Sequence, residues 1–302
     1  MEVEGYDYNE LLGVGKVSVD ALEFSKKVIR PGVKLLEAAN EIEAFIKDKG
    51  CDFSFPINLS IDEQAAHYTP PFDDKSVFSE NSVVKVDLGA RRGFYLTDCA
   101  ITIDLSGEHS KLCEAAAEAL DAAISVVRSG VEVSKVGAAI EEAGKRFGLK
   151  PIKNLGGHGI EKDELHADVF IPNYYNGDQT KLEEGQVIAI EPFFTEGSAG
   201  MVGDGDVVEI FQRHGDSRPR SNISRELLDE IESRYITYPF AARWLYSDKK
   251  WENEFKVKRA LLDLVNSDAV EPFPVLVEKS NGIVAQAEKE LIVEHDSCRI
   301  VT

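Results

Sequence analysis

Two aspartates stand out on either side of Gly93, in the β-rich runs SVVKVDLGA and GFYLTDCAITI. A two-residue turn at Arg92-Gly93 sets Arg91 against Phe94 and lays Asp87 directly across from Asp98. Val84, Val86 and Leu88 then point to the other face, while Phe94, Leu96 and Ala100 share the face of Asp98, so the two acids sit among mostly apolar groups. At about 5 Å and an effective dielectric of ~20 their repulsion is roughly 3 kcal/mol, before any cost of desolvation. A shared proton, a buried Arg or Lys, or a metal cation would offset it. Arg91 and Arg92 lie at the turn, several residues from the pair, which leaves metal as the leading explanation.

Further candidate ligands lie on other strands. Glu191 follows the apolar run Val187 to Ile190 and precedes Pro192, as an acid delivered at a strand end would. Glu288 shares one face with Gln286 and Glu290, in a run whose other face carries Ile283, Ala285, Ala287, Leu291 and Val293. His158 is flanked by Gly156, Gly157 and Gly159, which give the backbone room to bring an imidazole into a cleft. Hard oxygen ligands with one imidazole favour divalent Mn, Fe or Co over an all-nitrogen zinc site. His67 and His166, taken by themselves, are loop histidines that rank below His158.

The elements that must hold these residues are helix pairs followed by strands, twice over. Residues 9–30 and 33–49 form two helices broken at Pro31-Gly32, with Gly50 as a C-cap. A second pair spans about 110–128 and 134–147, with Ser134 as N-cap and Gly148 as stop. Strands follow in QVIAIEPFF and GIVAQAEKELIV. The pattern implies an α+β domain of two similar halves, although no sequence repeat supports the symmetry. After Phe194 a glycine-rich stretch leads to helical runs at about 224–235 and 251–266. Residues 1–195 with 279–302 therefore read as the main domain and 196–278 as a helical insertion.

Composition bounds the class. The 302 residues, with 43% hydrophobic, 29% charged and a net charge of -20, describe a globular chain unsuited to whole-surface nucleic-acid binding. No apolar run approaches the ~18 residues of a membrane span, and the acidic N-terminus lacks the features of a signal peptide. Cys51, Cys99, Cys113 and Cys298 show no CxxC spacing, so neither a disulfide framework nor a thiolate zinc site is expected and a cytoplasmic setting fits. Residues 243–259 hold six basic and three acidic groups, a local +3 that reads as a solvated helix face.

Asp87, Asp98, His158, Glu191 and Glu288, in that order, match the metal ligands of the pita-bread metallopeptidases, and the chain resembles the type II methionine aminopeptidases in their short archaeal form. The resemblance covers nearly the whole chain and includes FPINLSIDEQAAHYTP at 55–70, VDLGARRGFYLTDCA, GGHGIEKDELHA at 156–167, AIEPF, DAVEPFPVL at 268–276 and VAQAE at 284–288. It implies a pita-bread fold with pseudo-twofold halves. It also implies two divalent ions (Co, Mn, Fe or Zn): Asp87 chelates one, Asp98 and Glu288 bridge both, and His158 and Glu191 bind the second. A bridging hydroxide then attacks the scissile carbonyl, with Glu191 as general base and acid. His67 and His166 match two histidines that donate hydrogen bonds to the substrate, and Phe55, Leu165 and Phe273 surround the methionine side chain. The implied substrates are nascent polypeptide N-termini with a small second residue. A monomer is expected, without specific nucleic acid or membrane, and transient ribosome contact is left open.

Two departures are visible. Lys289 follows Glu288 where many type II members carry His, at a position that is not a ligand, and the long charged N-terminal extension of eukaryotic members is missing. The rivals are aminopeptidase P and prolidase, which share the five ligands, and a non-catalytic relative that has lost them. Here 86 residues precede Asp87 and 96 separate Glu191 from Glu288, which favours the methionine enzyme.

Overall fold

The structure is a computed structural model that describes residues 7–246, 249–251 and 253–302. Helix α1 (Tyr8–Val28) begins at Asp7, whose carboxylate accepts the Asn9 N–H at 2.8 Å, and α2 (Leu35–Asp48) follows. Both bury an apolar stripe, including Val14, Ala21, Ala39, Ile42 and Ile46, against the strands that come next. Those strands are β1 (Asp52–Phe53), β2 (Asn58–Ile61), β3 (Gln64–Ala66), β4 (Val83–Leu88), β5 (Ala90–Arg92), β6 (Tyr95–Leu96) and β7 (Cys99–Asp104), and β4 lies between β2 and β7.

The second half repeats the plan. Helices α3 (Ser110–Ile124) and α4 (Val133–Phe147) pack on β8 (Lys150–Pro151), β9 (Gly156–Glu161), β10 (Glu164–Pro172), β11 (Val187–Ile190) and β12 (Phe193–Thr195), with Ile140, Ile188, Phe194 and Leu291 in the shared core. Gly148 closes α4 in the left-handed conformation, as expected. Ser134 does not cap that helix. Glu132 holds the cap position, and the carbonyls of Thr180 and Asp178 take the N–H groups of Val133 and Ser134, so a neighbouring loop supplies what a side chain would have.

Between the halves and the closing strands run β13 (Val202–Arg213), α5 (Asn222–Tyr235), β14 (Phe240–Ala241), α6 (Ala242–Leu245), a 3₁₀ turn (Lys249–Trp251), α7 (Glu254–Asn266) and β15 (Val270–Glu278). The two helical runs are present, and they are carried by the long β13–β15 ladder, which the sequence pattern did not announce. The segment has its own core around Leu227, Leu228, Phe240 and Leu264, and β15 also pairs with β3, tying the segment to the first half. Arg243, counted above with the basic stretch, is buried instead, donating to Thr69, the Pro70 carbonyl and Glu43. Lys250 pairs with Glu226 and Lys258 with Glu254, while Asp248, Glu252 and the Lys249 side chain fall outside the described residues.

The chain closes with β16 (Val284–Gln286), β17 (Lys289–Val293) and β18 (Cys298–Ile300), giving the five-stranded order β10-β9-β11-β17-β18. All four cysteines are free. No helix among the described residues is long and apolar enough to cross a membrane.

Candidate active site

The acids of the first half reach the site through a turn that differs from the expected one. Arg91 pairs with Leu96 and Arg92 with Tyr95, so the turn is Gly93-Phe94, with Gly93 at φ 61. Along the same hairpin Asp87 pairs with Ala100, not with Asp98. The register is shifted by two residues, which preserves the facing of every side chain. Asp87 and Asp98 therefore still meet in one cavity, where the Asp98 charge helps raise Asp87.

The seam between the halves brings in the remaining acids. Glu288 and Ala100 form an antiparallel bridge, with the Glu288 N–H donating to the Ala100 carbonyl at 2.9 Å. Beside it the Thr102 hydroxyl donates to the Gln286 carbonyl at 2.6 Å and accepts the Gln286 N–H at 2.8 Å. One residue beyond β11, Glu191 enters the same space. His158 stands on β9 between β10 and β11, where Gly157 is required because a Cβ there would lie 2.1 Å from the Ala189 carbonyl oxygen.

The result is four carboxylates and an imidazole at the floor of one cavity of about 360 Å³. Asp98, His158 and Glu288 present ligand atoms within 4.8 Å of one another, and His158 Nε2 is 3.4 Å from Asp98 Oδ2. The His158 Nδ1 lies 3.1 Å from the Gly159 carbonyl, which can only accept, and Nε2 is the ring nitrogen turned toward the acids. Burial, followed by mutual repulsion, holds Asp87, Glu191 and Glu288 well above the usual carboxylate range. Asp98 is raised less, because the His158 ring offsets part of its burial.

Among the described residues no lysine or arginine is a cause of the shifts of Asp87 or Glu191. Lys85, on the face of Asp87, is fully buried, but its amine donates to the carbonyls of Asp62 and Val83. Asp87 Oδ1 and Asp98 Oδ1 are buried without a hydrogen-bond partner. An oxygen-rich donor set with one oriented imidazole and orphaned acceptor atoms fits divalent cations.

His67 and His166 line the same cavity, as do Phe55, Leu165 and Phe273. His166 keeps some solvent exposure, but desolvation by the surrounding protein, then the neighbouring His158 and His67, lowers its imidazole, and desolvation lowers the half-buried His67 as well, so both rings are neutral near pH 7. His67 adopts φ 66 and crosses the Phe273 ring edge-on at 5.7 Å. Its Nδ1 lies 3.2 Å from the Pro274 carbonyl, a contact that favours the proton on Nδ1.

Two buried residues had no assigned role. Gln286 Nε2 reaches Asp87, Glu191 and Glu288 at 3.4, 3.3 and 3.4 Å. Glu290 accepts the Asp98 N–H at 3.0 Å. Their signal was the period-two pattern that puts Gln286, Glu288 and Glu290 on one face.

Residues 10–211 match metallopeptidase family M24. The chain is 43% identical over 297 residues to the methionine aminopeptidase of Pyrococcus abyssi, covering 98% of this chain and 99% of that protein. Among solved structures, a thermophilic Arx1 aligns with a TM-score of 0.84 at 18% identity, over 100% of this chain and 91% of the other. The methionine aminopeptidase of Thermotoga maritima aligns at 0.69 and 21% identity, over 96% and 94%. At such identities the structural likeness speaks to the fold, which is the expected pita-bread arrangement. The sequence match goes further: this chain belongs to metallopeptidase family M24.

Proposed function

We propose that the protein is a methionine aminopeptidase that removes the first methionine from nascent polypeptides whose second residue is small. The observation that carries this is the cavity itself, with buried acids and His158 at its floor, His67 and His166 in its walls, and Phe55, Leu165 and Phe273 as an apolar lining. In this reading Asp87, Asp98, His158, Glu191 and Glu288 hold two divalent ions, which supply a nucleophile at neutral pH and polarise the scissile carbonyl.

The chain's own groups do the rest. Glu191, set in the cavity among the other acids, takes a proton from the nucleophile and returns it to the leaving amine. His166, neutral near pH 7, donates an N–H to the carbonyl oxygen as charge develops there. His67 accepts a substrate N–H at Nε2, its Nδ1 being held by Pro274. The insertion, residues 196–278, serves to wall the cavity, contributing Ile210, Pro239, Phe273 and Leu276. An unbranched thioether suits the aromatic and aliphatic lining, and a charged first residue would find no partner there.

The test is transition-metal content after purification, followed by hydrolysis of Met-Ala-Ser, Met-Lys-Ser and Ala-Pro peptides. Bound metal and selective cleavage of Met-Ala-Ser are expected. Equal rates on Met-Ala-Ser and Met-Lys-Ser would sink the second-residue rule, and preference for Ala-Pro would move the assignment to aminopeptidase P.

A further inference from the structure

Strand β10 is the edge of the five-stranded sheet. Its one strand neighbour is β9, and among the described residues no strand pairs with its other side. Its residues Leu165, His166, Ala167, Asp168, Val169 and Phe170 all line the active-site cavity. The strand therefore runs along the cavity wall past the candidate catalytic histidine, and Phe170, 46% exposed, lies across from His158 on β9. At ~3.3 Å per residue those six residues offer a rail of roughly 20 Å.

The start of this rail is anchored. Tyr238 of the insertion donates to the Asp163 carboxylate at the β9–β10 turn. Beyond the anchor the pairing with β9 shifts register twice, between Glu164 and Ala167 and between Ala167 and Phe170. Such bulges recur beside active sites, where they re-aim side chains.

We infer that the free edge of β10 is a strand-addition site for the extended substrate backbone beyond its second residue. The inference rests on the aminopeptidase reading of the cavity and names how the rest of the chain is held. An enzyme that trims many unrelated polypeptides must grip what they share, and the shared features are backbone N–H and C=O groups at the period of a strand. The edge lies along the cavity, so a chain whose first residue lies between Phe55, Leu165 and Phe273 has β10 beside it.

The test uses the metal-loaded enzyme and modified substrates, so no variant has to fold. A series from Met-Ala amide to Met-Ala-Ser-Gly-Ser-Gly amide should show kcat/KM rising as residues are added, about three- to tenfold for each backbone hydrogen bond gained. In the longest peptide, N-methylation of single downstream amides should lower kcat/KM about three- to tenfold at alternate positions and leave it unchanged at the positions between, because only every second residue of a strand faces its partner. Cleavage of all the Met-Ala peptides with no dependence on length would overturn the strand-addition site and leave the aminopeptidase intact. Equal losses at neighbouring amides would also overturn it. Failure to cleave any Met peptide would overturn both readings.

Discussion

Gln286 carries two amide hydrogens and faces three carboxylates, so its contacts at 3.3 to 3.4 Å are shared and long. Its Oε1 is buried with no partner. The side chain stands between acids from both halves, where it fixes their spacing. Gln286→Met keeps the shape and removes the donor. It should weaken Mn or Co binding about tenfold to a hundredfold in calorimetric titrations, while the melting temperature of the metal-free protein holds or rises. Unchanged affinity would remove Gln286 from the site. His67 tests a different property, since a left-handed φ of 66 costs a β-carbon on the order of 1 to 2 kcal/mol. His67→Gly and His67→Ala should both lose turnover, about tenfold to a thousandfold, with the glycine variant the more stable by about 1 kcal/mol. Equal melting of the two would dismiss the strain. At this scale the meeting place was legible: every residue named from the sequence as ligand, histidine or pocket wall lines the same cavity. Gln286 escaped because an amide in a strand brings no charge to explain, and the contact of His67 with the Pro274 carbonyl escaped because the two lie far apart in the chain.

Among the elements, β4 shows how a buried charge is tolerated and what it costs. Burial drives the Lys85 amine from 10.5 down to about 7. The folded protein thus binds its proton less tightly than the unfolded chain does, so the penalty is full below pH 7 and fades as pH rises toward 10.5. The two carbonyls that Lys85 serves keep other donors, Val284 N–H on Asp62 and Asp62 N–H on Val83. Lys85→Met should therefore stabilise the protein by about 1 to 3 kcal/mol at pH 6, with the advantage shrinking by pH 9, as read by urea unfolding at both values. Destabilisation at pH 6 would show that the amine is needed structurally. The helix pairs were readable because their apolar stripes recur at helical spacing. Strands β13 and β15 were not, because glycines and acids interrupt VGDGDVVEIFQR, and Pro272 and Pro274 argue against a strand in VEPFPVLVE. Pairing between β13 and β15, and of β15 with β3, overrides the local preference.

For the whole molecule the acid cluster couples stability to pH and to metal. Asp87, Glu191 and Glu288 are raised in the folded state, so the stability they contribute is complete below their unfolded values near 4 and is lost as pH climbs through the folded ones. The metal-free protein should melt at a lower temperature at pH 8 than at pH 5, and added Mn should raise the melting temperature more at pH 8, since a cation binds the ionised acids and releases their protons. A flat metal-free profile in scanning calorimetry, or equal metal increments at both pH values, would reject this. The bridge between Ala100 and Glu288 extends the same coupling into time. Acids far apart in the chain meet at that seam, so a bound cation is a cross-link that any route separating the halves must break first. It should slow the rate of opening as well as shift the equilibrium. The loaded protein should outlast the metal-free one in a protease digest even at pH 5, where the two differ least in melting temperature.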